Sequence, residues 1–383
     1  MHPVESYFRQ LQEIHSSGAV PETSYYGPLA TLLNQIGSGL KPPVRCIVHP
    51  RNRGAGIPDG GLFTADQLPR DGEVPPKLLP SRGTLEVKPA ADDALAVAAG
   101  EQVTRYAARY GQVLVTTHRE WALVERGPQG RCCMLETLRL AESEAEFWAL
   151  LRNPHAAAEQ HGGRLVEYLQ RAMLRPAPLY EPADVAWLLA SYAREARLRI
   201  EGSDLPALAA VREALEEALG ITFRGEQCDH FFRSTLIQTL FYGVFSAWVL
   251  WSREGRQGHF EWRTAAWYLR VPVVSGLFEQ LATPSKLGPL GLTETLDWAA
   301  DALNRVDRPA FFARFGEEHA VQYFYEPFLQ AFDPELRREL GVWYTPPEIV
   351  RYMVARVDTA LRRELGIADG LADPRVLVLD PAC

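Results

Sequence analysis

The tetrapeptide Leu85-Glu86-Val87-Lys88 constrains this chain more than any other stretch. Its strict alternation of apolar and charged residues has the period of a β-strand, so Glu86 and Lys88 must share one face of it. Gly83 and Thr84 lead in and Pro89 ends the run. Upstream, Pro58-Asp59-Gly60 is a turn sequence that carries a second carboxylate. Two carboxylates are hard oxygen ligands suited to Mg²⁺, and a nearby ammonium can orient or polarise a water. Taken singly, each motif reads as an ordinary turn or an exposed charged strand. The rest of the chain decides whether they belong together.

A length of 383 residues accommodates two or three domains with ample core. The apolar share of 47 % and charged share of 23 % are those of a soluble globular protein. A net charge of −8 excludes a generally basic nucleic-acid coat. It leaves room for a local basic groove, and Lys41, Arg45, Arg51 and Arg53 occur with no acidic residue between them. The five cysteines (Cys46, Cys132, Cys133, Cys228 and Cys383) are odd in number and lack zinc-finger spacing, as expected of free thiols in a reducing cytosol. No signal-peptide core is present at the N-terminus. Residues 235–251 are strongly apolar but carry Gln238 and fall short of the roughly 20 residues of a membrane span. A buried core helix, no membrane and a cytoplasmic location are expected.

Along the chain, the first forty residues read as two helices, the second over residues 23–36 with Glu22 at its start and Gly37 at its end. Residues 44–48, 61–63 and 84–88 read as strands. Asp92 and Asp93 cap a helix running to Tyr110, on which Gln102 and Tyr106 share a face, and Gly111 ends it. Residues 113–117 and 121–125 read as a hairpin, closing a mixed α/β domain over residues 1–140. From residue 141 to 335 strand signals nearly vanish and helical spacing takes over, as in Val185, Leu188, Leu189 and Tyr192. Residues 231–251 should form the central helix of this all-α connector. The phenylalanines from Phe311 to Phe332, with Tyr323, read as packing. Cys228-Asp229-His230 reads as a helix start capped by Asp229.

A third segment, residues 336–383, changes character again. Thr345-Pro346-Pro347-Glu348 is a capping box, and Ile349, Val350, Met353, Val354 and Val357 make the helix after it amphipathic. Val376-Leu377-Val378-Leu379 is the continuous apolar run of a strand buried on both faces of a parallel sheet, and it ends in Asp380-Pro381-Ala382-Cys383. A strand ending in Asp-Pro before a small-residue turn is how doubly wound sheets open a ligand crevice.

This end of the chain resembles the start of adenine-specific DNA methyltransferases. Asp380 and Pro381 match the first half of their S-adenosyl-L-methionine motif. Tyr344, Thr345 and Pro346 match the motif that precedes it and lines the same cofactor pocket. With the nuclease-like unit in front and the helical connector between, the whole chain resembles the fused, single-polypeptide restriction–modification enzymes of type IIG and related type I kinds. The resemblance implies a PD-(D/E)xK nuclease-like α/β domain, a helical connector and a Rossmann-like methyltransferase start. It implies double-stranded DNA as partner and Mg²⁺ as the nuclease cofactor, in a phage-defence role. In that family Asp59, Glu86 and Lys88 would be the catalytic triad, with Asp59 and Glu86 as metal ligands. Gln102 and Tyr106 would match the Q-x-x-x-Y element, and Glu22 an auxiliary acid.

The methyltransferase half departs from the family pattern. The glycines expected after Cys383 and the later Asn/Asp-Pro-Pro-aromatic motif that grips a flipped adenine do not occur. The 383-residue chain is therefore expected to cut DNA but not to methylate it, its expected partner being the missing C-terminal methyltransferase and target-recognition portion. A catalytically silent fragment that only binds DNA or a subunit is the alternative, and a full methyltransferase-family protein whose nuclease has decayed is a third.

Overall fold

Six strands assemble into one mixed sheet, in the order of the sequence. They are β1 (Val44–Val48), β2 (Gly60–Thr64), β3 (Thr84–Val87), β4 (Gln112–Thr116), β5 (Glu120–Arg126) and β6 (Cys132–Arg139). The computed structural model describes residues 2–18, 21–50, 55–68, 78–127, 132–201, 206–220, 222–223, 226–270, 272–316, 324–334, 345 and 347–379. Neighbouring strands are antiparallel except β3 and β4, which run parallel with Leu85 opposite Leu114 and Glu86 opposite Val115. A parallel pair needs a crossover, and α3 (Ala94–Ala98) and α4 (Glu101–Tyr110) supply it. Asp93 caps α3 by accepting from the Leu95 and Ala96 N–H groups. The single helix expected here is broken because Gly100 adopts extended backbone (φ −73°, ψ 160°) as the N-cap of α4.

Both faces of the sheet are covered. On one side, Leu85, Val87, Leu114, Trp121 and Leu123 pack with α1 (Pro3–Ser16), α2 (Tyr26–Gly37), α5 (Glu144–Leu150) and α6 (Pro154–Leu174). On the other, Val113, Val115, Ala122 and Val124 meet Val103, Tyr106 and Ala107 of α4. Strand alternation thus places Glu86 on the α4 face.

Contacts divide the chain into two compact units, Met1–Pro178 and Leu179–Cys383. The first runs past the boundary expected at residue 140, because α5 and α6 complete its core. Arg171 on α6 forms a buried ion pair with Glu136 of β6 (3.0 Å), and Arg175 pairs with Glu125 of β5 (2.8 Å). The Gln112 amide of β4 donates to the Ala172 carbonyl at 2.9 Å. The β1 edge is closed by a side chain: Asn34 of α2 accepts from the Cys46 N–H (2.8 Å) and donates to the Cys46 carbonyl (3.4 Å).

The second unit is helical among its described residues. Its long helix α9 (Glu226–Arg253) buries Phe232, Leu236, Phe241, Val244, Phe245 and Trp248 around its circumference. Among the described residues, the stretch Asp229–Arg253 is long and apolar enough to cross a membrane, but 67 % of its most apolar window is buried inside this unit. Helices α7 (Pro182–Ile200) and α8 (Pro206–Leu219) contribute Val185, Leu188, Leu189, Leu208, Val211 and Leu215 to the same core. Phe324 stacks on Phe245 and Phe311 meets Trp248, so the aromatic stretch packs as expected; Tyr323 lies outside the described residues. Asp229 does not cap α9. It lies within the helix and pairs with Arg233 (2.6 Å) and Arg212.

The third expected segment is corrected in part. The amphipathic helix is there, Pro347–Arg363, but residues 376–379 are not a buried strand. Leu377, Val378 and Leu379 are 93 %, 77 % and 85 % exposed. Among the described residues no strand lies beside them, and an apolar run becomes a buried strand only with neighbours on its edges. No Rossmann-like sheet is assembled from the described residues of this segment.

Replacing Arg171 by Ala leaves the buried Glu136 carboxylate without its guanidinium and destabilises the first unit by about 3–5 kcal/mol. Urea unfolding followed by hydrogen exchange of β5 and β6 measures the loss, and the double change Arg171→Met with Glu136→Leu recovers most of it.

Candidate active site

The expected site residues of the first unit converge where β3 ends. Glu86 is buried, and its Oε1 lies 2.6 Å from Lys88 Nζ. Lys88 Nζ also donates to the Val87 carbonyl at 3.1 Å. The Lys88 backbone N–H is fixed by the Thr116 carbonyl of β4 at 2.8 Å, continuing the parallel ladder one residue past β3. The other Glu86 oxygen, Oε2, accepts from the Gln102 amide of α4 at 3.1 Å. Sequence periodicity thus put the ammonium and carboxylate on one face, and the crossover helix completes that face.

Asp59 arrives from the turn before β2. Its Oδ2 accepts from the Val87 N–H at 2.8 Å, so the turn carboxylate is tied to the backbone between Glu86 and Lys88. Its own backbone is clamped on both sides, with Asp59 N–H on the Leu85 carbonyl (3.2 Å) and His49 N–H on the Asp59 carbonyl (2.9 Å). Gly60 suits this approach, since a Cβ there would stand 2.6 Å from Leu85 Cδ1 and push that side chain aside. Tyr106 holds the same turn from α4: its hydroxyl donates to the Ile57 carbonyl at 3.0 Å and accepts from the Gln102 amide at 3.2 Å. Gly56 beside it has φ +112°, a conformation that favours glycine. Asp59, Glu86, Lys88, Gln102 and Tyr106 are therefore joined in one hydrogen-bonded cluster.

Glu22 begins a 3₁₀ turn (Glu22–Tyr25) that leads into α2, and its Oε1 accepts from the Tyr26 hydroxyl at 2.8 Å. Tyr26 was not foreseen. The four-residue spacing of Glu22 and Tyr26 was the available signal, because such a pair shares a helical face.

The electrostatics follow from this packing. Burial raises the pKa of Glu86; the Lys88 hydrogen bond opposes that, while Asp59 and Glu22 add to it as like charges. Burial works to lower the Lys88 pKa, but the Glu86 carboxylate outweighs it and the ammonium is held above its ordinary value. Burial also raises Tyr26, reinforced by Glu22 and Asp59. Three carboxylates round one ammonium leave an excess of negative charge, which a divalent cation would relieve.

Among the described residues, no group of three or more His, Cys, Asp and Glu side chains gathers closely enough to hold a metal ion by itself. The donor set still fits Mg²⁺, which keeps several waters and uses one or two protein carboxylates. Asp59, Glu86 and the Val87 carbonyl are hard oxygen donors within one hydrogen-bonded cluster. Of the expected basic groove, Lys41 and Arg45 are exposed, and Arg51 and Arg53 lie outside the described residues. Of the expected cofactor residues, Thr345 is exposed, while Tyr344, Pro346, Asp380 and Pro381 lie outside the described residues.

No protein-family model and no curated protein matches the chain. A solved structure titled "cryoEM structure DrdV-DNA complex" is similar over 99 % of this chain at 20 % identity, with a TM-score of 0.34. The chain spans about a third of the length of that one, covering 33 % of it. A likeness this low carries no weight for fold or activity.

The paired shifts set a pH dependence of stability. A carboxyl whose pKa is raised on folding destabilises the fold above that value and costs nothing once pH falls below its unfolded value. Without Lys88 the Glu86 pKa rises further, so Lys88→Met lowers Tm at pH 8. The deficit against the parent closes as pH falls below about 4, where Glu86 is protonated in both folded and unfolded chains. Thermal unfolding across that range checks it; a deficit independent of pH would show that Lys88 does not act through Glu86.

Proposed function

We propose that this chain carries a Mg²⁺-dependent DNA endonuclease site, in the nuclease and connector portion of a restriction–modification type protein. The observation that carries the reading is the Asp59 carboxylate on the Val87 N–H, which seats the turn acid beside Glu86 and Lys88. The charged strand and the Pro-Asp-Gly turn are thereby one constellation rather than two surface features.

Asp59, Glu86 and the Val87 carbonyl would hold the ion, which when bound supplies polarisation of the scissile phosphate and a lowered pKa for the attacking water. The protein's share is positioning and charge. Lys88 keeps its proton at Nζ, held above its ordinary pKa by Glu86, and so offers a fixed positive charge to the phosphorane as it forms. Gln102 spends one amide hydrogen bond on Glu86 and so fixes that carboxylate's rotation. Tyr106 pins the Ile57 carbonyl and with it the turn that bears Asp59, so it acts on the geometry of the ligand rather than on the phosphate. Double-stranded DNA as the substrate, and an S-adenosyl-L-methionine site that would include Tyr344, Thr345, Pro346, Asp380 and Pro381, rest on the sequence resemblance.

Purified full chain should nick or linearise plasmid DNA in Mg²⁺ and stop in EDTA. Asp59→Ala and Lys88→Ala should each lose at least about 100-fold in rate, with melting transitions that remain cooperative. Cleavage undiminished in both variants would refute the assignment, and binding of DNA without cleavage by the parent chain would favour the silent fragment.

A further inference from the structure

Arginines gather on the second unit where α9 ends. Arg308, which opens a short helix (Arg308–Phe312), lays its guanidinium over the Trp251 ring at 5.0 Å and donates to the Arg256 carbonyl at 2.9 Å. The Arg256 guanidinium in turn lies over the Tyr268 ring at 5.2 Å. Phe260 joins the two rings, its centroid 5.8 Å from that of Trp251 and 6.4 Å from that of Tyr268. Asn304 clamps the Phe260 backbone, accepting from its N–H at 2.7 Å and donating to its carbonyl at 2.9 Å. Two positive groups are thus held on one braced aromatic floor. Beside Tyr268, Trp267 ends a 3₁₀ turn (Trp262–Trp267) and is 79 % exposed, and Arg270 is exposed two residues after it.

Charge singles this surface out. Elsewhere in the unit arginines meet acids: Arg197 pairs with Asp333, Arg233 with Asp229 and Arg263 with Asp297. Among the described residues, Arg308 and Arg270 have no carboxylate within ion-pair reach, and Arg256 commits its Nε alone, to Glu254 at 2.9 Å. A guanidinium whose face rests on a ring keeps its N–H edge for other partners, and that planar fork matches a phosphate. In a chain of net charge −8 such an excess acts as a local field. The centre of a protein–protein interface is depleted of charge, whereas here the guanidiniums lie over the rings, as suits a polyanion.

We propose that this surface is a DNA-backbone contact on the helical unit. Arg256, Arg308 and Arg270 take phosphates of a duplex, and Trp267 packs against the sugars between them. Contacts of this kind fix where a duplex lies and carry no sequence information themselves. The inference rests on the reading of DNA as the substrate and is independent of the metal site.

Binding in EDTA tests it without cleavage: a fluorescein-labelled duplex is titrated with the full chain and followed by anisotropy as salt is raised. Arg256→Gln with Arg308→Gln keeps most of each side chain's length, so Tm should stay within a few degrees. The pair should lose about tenfold in affinity, and its log–log salt slope should be shallower by about two. Arg256→Lys with Arg308→Lys keeps both charges and should retain the parent slope. Trp267→Ala should weaken binding several-fold with the slope unchanged. In Mg²⁺ the Gln pair should raise KM for DNA and leave kcat within about threefold of the parent. Parent-like affinity and slope in the Gln pair overturn the inference and leave the surface to a protein partner; an equal loss of slope in the Lys pair overturns it as well. If the parent binds DNA but does not cut, the nuclease reading falls and the binding series alone decides this surface. If the parent does not bind DNA, both fall.

Discussion

A carboxylate buried within a sheet is tolerable only where its charge is met, and the first unit is arranged around meeting that of Glu86. Desolvating one ion costs several kcal/mol even after the protein relaxes. A hydrogen bond to a charged group returns about 1.5–3 kcal/mol, so the two that Glu86 accepts offset the cost without a large surplus. Each of those bonds depends on a distant feature. Lys88 is in place because β3 continues onto β4 for one more residue. Gln102 is in place because the parallel β3–β4 pairing demands a crossover, and the crossover lays α4 over the Glu86 face. Small displacements of either helix or strand would leave the charge unmet, so fold and site are specified together.

How much of this was legible in the residues depended on whether side chains or backbone carried the signal. Glu86, Lys88, Gln102 and Tyr106 could be placed on shared faces, because strand and helix periods fix which residues are neighbours along one element. The bond that joins Asp59 to them was not legible, since its donor is the Val87 backbone and every residue has one. Tyr26 was passed over although its partner Glu22 stands only four residues before it, because the reading of that segment stopped at the carboxylate. Strand β6 was also missed. A register shift in its pairing with β5, between Leu123 and Val124, interrupts the alternation that would have marked it.

The two larger discrepancies have a common origin. Helices α5 and α6 have the same apolar period as those of the second unit, and period alone does not say which core a helix joins. Buried pairs such as Arg171–Glu136 decided that, and they are long-range facts. Likewise the apolar run 376–379 has the composition of a buried strand, yet hydrophobicity describes what a segment would gain from neighbours rather than whether they exist. The aromatic stretch of the second unit was easier. A dense run of phenylalanines is self-sufficient as packing, because its members meet each other and α9 whatever the exact helix boundaries.

Asn34 spends both ends of its amide on Cys46 and so plays the part of a missing seventh strand at the β1 edge. That role turns residues 38–43, between α2 and β1, into a ruler. Lengthening or shortening the segment by one residue would carry Asn34 out of step with Cys46 and expose an open row of donors and acceptors on which a strand of another chain can add. Loop-closure entropy would hardly register such a change, since its cost grows only slowly with length. The length of that segment therefore matters through the two Asn34–Cys46 hydrogen bonds rather than through chain entropy.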